Sequence, residues 1–600
     1  MQILEPIIAL DCETTGLGPT DRAFGVSWML TDTPPRYIDI RQQHPAELLD
    51  LINSTRHRIV CHNASFDYRM MLRAGIRLPI ERLDDTVIRA TLIDEHLMHY
   101  SLDGLGQKYL GEGKLEEIYE ELARMFGGRA TKNVQMPRIA SAPLEMVRPY
   151  ACRDAKLCHN LWQWQEREIE RQGIQKIVEF ERSLMPTIIR NEVMGIRVDT
   201  EAANKAVNGL TGEINLATAD IYNKAGKKFN IDSPKQVREV FNPHKGMDGV
   251  WRNARGYVFP STPGGAPSFS AEALRETGDP LAAAILAARS LVKTRDTFLK
   301  GHILGREVGG RVYPSIHQTK GDNGGTGTGR FSYTEPAMQQ IPSRNKRVAA
   351  IVKPIFLPDE GQVWVDADMH SFEVRVFAHL VNNTRIVAAY QENPRLDFHQ
   401  YVAELTGLPR AAEYSGQANA KQLNLSMIFN SGRGAIAEKM GMPWSWDSFS
   451  KGGSEIRYKK AGTAACDVID RYHLAMPGVK DLADRASKIA SQYGFVETQF
   501  GRRLRFPKGE KLYKASGLTI QATAADINKM NWLLIEEAMG GEGRLVLNTH
   551  DSYGMSMPEH WLPVWERVRQ AVEGGFSWFR VPIVLDLSGS GQNWWESLKK

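Results

Sequence analysis

Two carboxylates near the N-terminus have the spacing of a metal-binding pair. Asp11 and Glu13 follow an apolar run in IIALDCETTGL. Side chains alternate across a strand, so residues two apart lie on one face, and both carboxylates can reach one cation. The TTGLG turn that follows would end the strand and leave the pair at its open edge. Taken alone, the pair is equally compatible with a solvated strand end that binds nothing.

Two further elements within the first 165 residues carry matching polar residues. In CHNASFDYRMM, Asp67 lies near a predicted helix start, where an acidic residue is common without any function. In PYACRDAKL, Tyr150 and Asp154 are four residues apart and therefore share one face of a helix. An ordinary exposed pair would have the same spacing. The three elements together are more specific than any one of them.

In this order, the three elements resemble the DEDDy 3′→5′ exonucleases, over about the first 165 residues. The resemblance implies that carboxylates hold two divalent cations and that Tyr150 orients the attacking water. The implied metal ligands are Asp11, Glu13, Asp67 and Asp154. Two cations can stabilise both the attacking and the leaving oxygen of a phosphodiester, and carboxylate oxygens suit Mg²⁺ or Mn²⁺.

A second series of motifs begins after residue 300. Its segments are TGRFSYTEPAMQQIPSRN, VWVDADMHSFEVRVF, LDFHQYVAELTG, NAKQLNLSMIFNSG, YGFVETQFGRRLRFP, IQATAADINK and LNTHDSYG. Asp366 and Asp368 share one face of a predicted strand, and Asp551 lies in a predicted β-hairpin. Singly, these segments are also compatible with a flexible glycine-rich loop, an amphipathic helix or a solvated basic loop.

Together these segments resemble the family A DNA polymerases, and the resemblance extends over nearly the whole chain. It implies that Asp368, with Asp366 as the alternative, and Asp551 bind the catalytic metals, and that Glu373 excludes a ribose 2′-hydroxyl. The implied nucleotide contacts are Lys421, His399, Glu373, Gln417, Leu425 and Phe429. The implied DNA contacts are Arg330, Gln339, Arg344, Arg502, Arg503, Gln521 and His550, with Arg505 also near the template backbone.

Several positions depart from the pattern of that family. Gln417 replaces an arginine, so a nearby arginine such as Arg410 or Arg433 is expected to supply the lost phosphate contact. Leu425 replaces an aromatic residue, which alters the expected discrimination against nucleotide analogues. Ser552 stands where the family often has glutamate, so one outer carboxylate is missing.

The elements that must position these residues fall into two parts. Short apolar strands alternating with helical patterns over residues 1–168 predict an α/β domain. The resemblance implies that this domain is an exonuclease with an RNase H-like mixed sheet. By resemblance, the remainder forms a right-hand polymerase with an α+β palm and a helical thumb and fingers. The predicted parts are the thumb 169–310, the palm 311–375 and 486–600, and the fingers 376–485, with a helical block from about 371 to 490.

Bulk properties exclude several other classes of protein. No run of about 18 apolar residues occurs, so we expect no membrane span, and the N-terminus does not have the pattern of a signal peptide. The five scattered cysteines form no CxxC pair, which favours a reducing compartment over a zinc site or a disulfide framework. The net charge of +5 decides little, because acidic metal sites would offset basic DNA-binding grooves.

The expected function is template-directed DNA synthesis from dNTPs with 3′→5′ proofreading. It is expected to be of the bacteriophage type, because no 5′-nuclease domain precedes the exonuclease. We expect Mg²⁺ or Mn²⁺ at two ions per active site, primer-template DNA as the partner, a monomer, and action in the host cytoplasm. Two alternatives remain: an exonuclease with a degenerate polymerase half that only binds DNA, and a replisome scaffold without activity.

Overall fold

The computed structural model describes residues 5–115, 117–262, 264–343, 345–413, 416–451, 454–476 and 478–599. The strands of its first sheet are β1 (Ile7–Thr14), β2 (Ala23–Leu30), β3 (Arg36–Asp39), β4 (Arg58–Cys61) and β5 (Leu83–Asp85). Their order is β3-β2-β1-β4-β5, with β1 antiparallel to β2 and parallel to β4. The central strand β1 is buried on both faces, with Ile8 and Leu10 in one apolar cluster and Ile7 and Ala9 in another.

Helices cover this mixed sheet, which confirms the predicted α/β exonuclease-type domain. They are α1 (Ala46–Ser54), α2 (Ala64–Arg73), α3 (Thr86–Ile93), α4 (Leu102–Leu110), α5 (Glu117–Phe126), α6 (Lys132–Gln135) and α7 (Leu144–Gln172). The long helix α7 contacts β1 and β2 and ends at Gly173, which has a left-handed φ of 69°. The predicted domain boundary at residue 168 therefore falls inside α7.

The next section is mainly helical, as predicted for the thumb. It contains α8 (Gln175–Met194), β6 (Ile196–Val198), α9 (Thr200–Ala225), α10 (Pro234–Phe241), β7 (His244–Lys245), β8 (Trp251–Arg252), β9 (Val258–Phe259), α11 (Ala271–Glu276), α12 (Pro280–Lys293) and a π-helix (Thr294–Leu304). Within this section, β7, β8 and β9 form a small antiparallel sheet.

The first part of the palm and the fingers follow. The palm elements are β10 (Arg311–Val312), β11 (Ser315–His317), β12 (Ser332–Thr334), α13 (Lys346–Val352), β13 (Phe356–Leu357), β14 (Gln362–Met369) and α14 (Phe372–Val381). The fingers elements are α15 (Thr384–Glu392), α16 (Phe398–Thr406), α17 (Ala420–Ile428), α18 (Arg433–Lys439), β15 (Trp444–Lys451), β16 (Ser454–Ala461), α19 (Thr463–Ala475) and α20 (Gly478–Tyr493). The prediction of one helical block here is wrong, because β15 and β16 form an antiparallel hairpin within it.

The chain then returns to the palm. The elements are β17 (Phe495–Glu497), β18 (Arg503–Arg505), α21 (Ala515–Met539), β19 (Arg544–Thr549), β20 (Ser552–Pro558), α22 (Leu562–Gly574) and β21 (Leu585–Gly591). The palm sheet has the order β19-β20-β14-β21, so β14 pairs with strands from nearly two hundred residues later. Short 3₁₀ turns occupy Ile80–Arg82, Met136–Ser141, Met338–Gln340, Lys353–Ile355, Pro507–Gly509, Leu512–Lys514 and Glu596–Leu598.

One apolar core joins the base of the thumb, the palm and the fingers. It runs from Leu184 and Ile214 through Trp364 and Phe377 to Tyr472. The fixed palm sheet is therefore continuous with both flanking parts, which confirms the predicted right-hand architecture of a palm with helical thumb and fingers. Within the described ranges, no helix combines the length and the apolar character that crossing a bilayer requires.

Candidate active sites

Three carboxylates of the N-terminal domain converge at the end of β1. Oxygens of Asp11, Glu13 and Asp154 all lie within 4.8 Å of one another. The strand places Asp11 and Glu13 on one face, and α7 brings Asp154 against that face. Burial, followed by the charge of Asp154, raises the pKa of Asp11 to about 7. Burial also raises the pKa of Glu13 and of Asp154.

Asp67 and Tyr150 border the same cluster. Asp67 Oδ1 accepts a hydrogen bond from the backbone N–H of Cys12 at 3.2 Å, which places this carboxylate beside β1. Its pKa is raised by burial and then by the charge of Asp11. Tyr150 is buried, and the pKa of its phenol is raised by burial and then by the charge of Asp154. Of the five residues that the sequence predicted for this site, Asp11, Glu13 and Asp154 converge, and Asp67 and Tyr150 lie beside them.

A lysine that the sequence analysis did not single out lies inside this site. Lys114 Nζ forms an ion pair with Asp154 and stands 5.4 Å from the centroid of the Tyr150 ring. Although burial opposes its charge, the carboxylates of Asp154 and Asp11 raise the pKa of Lys114. Lys114 is thus a fixed positive charge among the predicted ligands. Its segment, GEGKLEE, has no periodicity or spacing that would have marked it.

The donor set of this site fits divalent metal ions. It consists of carboxylate oxygens, the ligands that Mg²⁺ and Mn²⁺ prefer. Asp154 Oδ1 is buried and makes no hydrogen bond with any described residue, so it has a free lone pair for a cation. Lys114 lies among these carboxylates, and burial is the main cause of their raised pKa values, with repulsion between the carboxylates adding to it for Asp11, Glu13 and Asp67.

Two aspartates from distant parts of the chain lie side by side at one end of the palm sheet. Asp368 on β14 pairs in register with Ser552, the residue after Asp551. The backbone N–H of Met369 donates to the Asp551 carbonyl at 2.9 Å, which fixes the β19–β20 turn against β14. Desolvation in the cleft, followed by the charge of Asp551, raises the pKa of Asp368 to about 7. Burial raises the pKa of Asp551 as well.

Asp366, the alternative ligand, is buried behind this pair. It is 2% exposed, whereas Asp368 opens onto the cleft. Asp366 Oδ1 accepts a hydrogen bond from the Ser552 hydroxyl at 3.2 Å, and its Oδ2 has no such partner among the described residues. Burial raises the pKa of Asp366 to about 7. This arrangement favours Asp368 as the ligand and places a carboxylate directly behind Ser552.

A third acidic residue flanks the palm pair and was missed from the sequence. Asp586 on β21 pairs in register with Asp368, and its charge contributes to the raised pKa of Asp368. His370 Nδ1 lies 2.8 Å from Asp586 Oδ2, and Arg395 forms an ion pair with the same carboxylate. No local pattern marks this residue, because the register of β21 against β14 is set only by the folded sheet.

A cavity of about 270 Å³ opens beside Asp551. Its walls include the predicted contact residues Arg330, Gln339, Glu373 and His550. Arg330 forms an ion pair with Glu373, which fixes the carboxylate that is expected to exclude ribose. His550 has a left-handed φ of 62° in the tight turn between β19 and β20. The structure thus brings the predicted primer-end residues to one cavity next to the aspartate pair.

The predicted triphosphate contacts Lys421 and His399 lie close together in the fingers. Lys421 is exposed in the first turn of α17. His399 Nδ1 lies 3.1 Å from the Asn424 side-chain nitrogen, and burial, followed by the charge of Lys421, lowers the pKa of His399 to about 4. At the end of α17, a Cβ atom on Gly517 of α21 would come within 3.3 Å of the Phe429 ring. Phe429 therefore lies where the fingers meet the palm.

Gln417, which is expected to replace an arginine at the triphosphate, does not lie on the helix that carries Lys421. α17 begins at Ala420, because the Asn419 side chain accepts a hydrogen bond from the first turn and caps the helix. Gln417 lies in the preceding loop, where its Oε1 accepts a hydrogen bond from the backbone N–H of Glu413 at 2.6 Å. Leu425 does lie on the helix and is half-buried.

The two arginines considered as substitutes for the missing one are both ion-paired. Arg410 pairs with Asp397, and Arg433 pairs with Asp470. The backbone carbonyl of Arg410 also accepts the N–H of Lys421 at 3.1 Å. Arg410 is therefore the one that lies beside a predicted triphosphate contact.

The expected contact between Arg502 and DNA is not supported by the structure, because its guanidinium is buried. Its side chain is 3% exposed and pairs with Glu181 of α8 and, at 2.7 Å, with Asp526 of α21. Arg505 pairs at 2.6 Å with Glu95 of the N-terminal domain instead of facing a template. The GRRLR segment therefore joins parts of the protein.

The remaining predicted DNA contacts are partly exposed or lie outside the described residues. Arg503 pairs with Glu497 at 2.8 Å, and its guanidinium stands 4.2 Å from the centroid of the Phe495 ring. Gln521 is half-buried on α21. Arg344 lies outside the described residues.

Comparison with known proteins gives consistent matches over the whole chain. The profile described as DNA polymerase family A matches residues 200–596, and that described as 3'-5' exonuclease matches residues 2–170. The chain is 53% identical to DNA polymerase DpoZ of Vibrio phage phiVC8, over 98% of this chain and 95% of that protein. It is 45% identical to DNA polymerase DpoZ of Salmonella phage PMBT28, over 99% and 97% respectively.

More distant relatives agree with these matches. DNA polymerase I of Pseudomonas aeruginosa is 28% identical over 98% of this chain and 64% of its own length. A solved structure of the POL domain of Pol1 from M. smegmatis, in complex with DNA primer-template and dNTP, has a TM-score of 0.78 at 20% identity. The similarity covers 98% of this chain and 96% of the other, so the two chains share a fold throughout.

Proposed function

Because this chain belongs to the family A DNA polymerases and carries a 3'-5' exonuclease domain, we propose that Asp368 and Asp551 hold the metals of its polymerase site. The chain synthesises DNA on a template and proofreads its product, and both activities depend on divalent metal. The observation that carries the site assignment is the register of β14 against the β19–β20 turn, which sets the two aspartates side by side.

In the polymerase site, bound metals would activate the primer 3′-hydroxyl and offset the charge of the departing pyrophosphate. The residues of the chain would then position the reactants. Lys421, beside His399, would neutralise triphosphate charge, and an almost uncharged imidazole at neutral pH would accept or donate hydrogen bonds there. Glu373, fixed by its ion pair with Arg330, would lie against the sugar and exclude a 2′-hydroxyl.

In the exonuclease site, bound metals would stabilise the attacking and leaving oxygens of a terminal phosphodiester. Asp11, Glu13, Asp67 and Asp154 would hold them. The phenol of Tyr150 stays protonated at any working pH, because burial and Asp154 raise its pKa, so it can donate a hydrogen bond to the attacking water. Lys114 would lie on the phosphate side of Asp154 as the one positive charge supplied by the chain.

Further parts of the proposal concern metal, partners and place of action. The carboxylate donor sets suit Mg²⁺ or Mn²⁺, and we assign two ions to each site. Primer-template DNA and dNTPs are the substrates, consistent with the complex of the structural neighbour. We assign a monomer that acts in the cytoplasm of a phage host, since the first three relatives are phage polymerases.

Primer extension by single-residue variants, each also assayed for exonuclease activity, tests this assignment. Asp551→Asn removes one charge from the palm pair with little change in volume, so extension should fall by at least about a thousandfold while exonuclease activity stays. A matched control, Asp248→Asn, changes an exposed thumb aspartate and should leave both activities unchanged. If Asp551→Asn still extends a primer at the parent rate, the palm assignment is wrong. A parent enzyme that degrades the primer but never extends it would instead support the degenerate-polymerase alternative.

A further inference from the structure

A β-hairpin in the fingers carries an exposed aromatic and basic surface that the proposed chemistry does not use. We name residues 444–461 the fingers hairpin; its strands pair from Trp444 opposite Ala461 to Lys451 opposite Ser454. The backbone N–H of Gly462 donates to the Pro443 carbonyl at 2.9 Å and closes its base. The hairpin packs on α18, where a Cβ on Gly434 would lie 1.9 Å from the Lys459 carbonyl. Only glycine permits that approach.

One face of the fingers hairpin alternates aromatic rings with cations. Trp446 lies directly opposite Lys459, and opposing residues of an antiparallel pair share a face. The Arg457 guanidinium stands 5.1 Å from the centroid of the Trp446 ring, and Lys459 Nζ stands 4.8 Å from that of Trp444. Trp446 is nevertheless 54% exposed. Within the described residues, Arg457 forms no ion pair with a carboxylate, so its charge is available to an anion.

The opposite face is also apolar and exposed. Phe449 lies opposite Ile456, and its ring centroid is 5.8 Å from that of Tyr458. These three side chains are 49%, 40% and 40% exposed, respectively. A two-stranded hairpin that leaves large rings in water on both faces gains little folding energy from them. Such a patch is typical of a surface that binds a partner.

We propose that the fingers hairpin binds the unpaired template strand ahead of the polymerase site. Arg457, which has no carboxylate partner among the described residues, and Lys459, which pairs with Glu438, lie between the aromatic rings. Such a surface is the kind of platform that single-stranded nucleic acid uses, because bases stack on rings and phosphates meet cations. Bases of a duplex are already stacked on one another and cannot use exposed rings in this way. The occupant that matches both the aromatic and the basic residues is therefore a single strand.

The position of the hairpin fits that occupant. It packs on α18, the helix that begins four residues after Phe429, where the fingers meet the palm. Phe429 is the ring that we expect at the templating position, so a template strand that leaves this ring toward the fingers reaches α18 and then the hairpin. The inference rests on the polymerase activity and extends it to template that has not yet been copied.

Overhang-dependent DNA binding tests the proposal. The parent would be the exonuclease-deficient Asp11→Ala, Glu13→Ala enzyme, and the probe a labelled primer-template of constant duplex with a 5′ template overhang of either about 2 or about 15 nucleotides. Fluorescence anisotropy gives the affinity for each. The combined substitution Trp446→Ala and Phe449→Ala should weaken binding of the long overhang about fivefold or more, and leave the short overhang unchanged.

Three companion variants separate binding from folding. Trp446→Phe keeps a ring. It should therefore retain most of the affinity for the long overhang that Trp446→Ala loses. Leu474→Ala, at a residue of α19 that is 86% exposed, should change neither substrate. A variant with residues 444–461 replaced by two glycines should behave like the double alanine variant, since the Gly462 to Pro443 hydrogen bond already closes the base.

Two results would overturn the proposal. One is that the double alanine variant does not distinguish the two overhangs, because it loses equal affinity for both or loses affinity for neither. The other is a parent enzyme that self-associates without DNA and becomes monomeric on Trp446→Ala, which would make the hairpin a contact between copies. Addition of one nucleotide on the short overhang reports the palm site separately, so failure of the proposed polymerase site would be visible there and not as an overhang effect.

Discussion

At the residue scale, the two sites share one electrostatic design. Asp11 and Asp368 both lie near the end of a strand, and in both desolvation followed by a second aspartate raises the pKa to about 7. Carboxylates whose pKa values are raised in this way repel one another when they are ionised and no cation lies between them. The chain offsets part of this charge in each site, through Lys114 next to Asp154 and through Arg330 and His550 near Asp551. We therefore expect metal to relieve repulsion that the protein itself leaves in place.

The pH dependence of stability without metal follows from these shifts. Because the pKa of Asp11 is raised from 3.8 to about 7, the folded state keeps a proton that the unfolded chain loses near pH 4. Stability without metal should thus fall as pH rises from about 4 to about 7. In EDTA, Asp11→Asn should raise the melting temperature at pH 8 by a few degrees and have less effect at pH 5, as measured by scanning calorimetry.

Added Mg²⁺ is the complementary measurement for that prediction. It should raise the melting temperature of the parent more at pH 8 than at pH 5, because protonated carboxyls do not bind metal. Most of this Mg²⁺-dependent rise in melting temperature should be absent in Asp11→Asn. A parent enzyme that is equally stable in EDTA at both pH values, with no gain from the substitution, would contradict the charge-crowding argument.

The carboxylate behind Ser552 leads to a second prediction at this scale. Asp366 accepts a hydrogen bond from Ser552 and places buried negative charge where the family often carries it on a glutamate. Asp366→Ser should therefore lower primer extension about tenfold, the effect of one lost electrostatic partner of moderate strength. Ser552→Glu in the Asp366→Ser background should recover activity, because the carboxylate returns beside Asp368.

The same Ser552→Glu change in the parent serves as the control. There it would add a second carboxylate next to Asp366, and repulsion should lower activity instead of raising it. Steady-state kinetics of all four enzymes would measure this sign reversal. If Ser552→Glu has the same effect in both backgrounds, Asp366 and Ser552 do not act together.

At the element scale, local patterns predicted the strands that carry the sites. The strand of IIALDCETTGL and the hairpin of LNTHDSYG are both present as β1 and β19–β20, because alternation and turn residues are local signals. The Asn419 cap that begins α17 and leaves Gln417 in the preceding loop is a local signal of the same kind. The hairpin β15–β16 was missed because only WSWD, at the start of WSWDSFSK, alternates with period two, and the region around it is rich in helices.

The environment of Arg502 could not be predicted from its own segment. Its partners Glu181 and Asp526 come from α8 and α21, and only the folded chain brings those helices together. Lys529 joins the same network through Glu181, and all four side chains are buried. The pKa of Glu181 is lowered because the charges of Lys529 and Arg502 outweigh its burial.

This network gives a prediction at the element scale. Glu181→Gln removes the central negative charge and leaves Arg502 and Lys529 buried against one remaining carboxylate. Loss of one partner of a buried ion pair costs about 3–5 kcal/mol, so the melting temperature should fall by several degrees. Glu179→Gln, on the exposed side of the same helix, is the control and should change it little. Equal melting temperatures for both variants would mean that the network contributes nothing.

At the scale of the whole molecule, the N-terminal domain is fixed to the polymerase part by polar contacts. Arg505 pairs with Glu95, and Lys320 Nζ donates to the carbonyls of Glu95 and Leu97. The two carboxylate sites nevertheless share no residue. We therefore expect a rigid scaffold with two independent sites.

Independent sites predict separable activities. Asp11→Ala with Glu13→Ala should abolish degradation of a mismatched primer end and leave extension within about twofold of the parent. Asp551→Ala should abolish extension and leave degradation. Gel assays of both reactions on one primer-template measure this directly. Loss of both activities in either variant, in an enzyme that keeps its melting temperature, would show that the sites are coupled.

The most direct test of the central assignment is a crystal structure of the exonuclease-deficient enzyme with primer-template, incoming nucleotide and Mn²⁺. Anomalous scattering locates manganese without reference to the protein. We predict manganese between the Asp368 and Asp551 carboxylates, next to the triphosphate. Manganese located elsewhere, with these two side chains turned away from each other, would contradict the assignment.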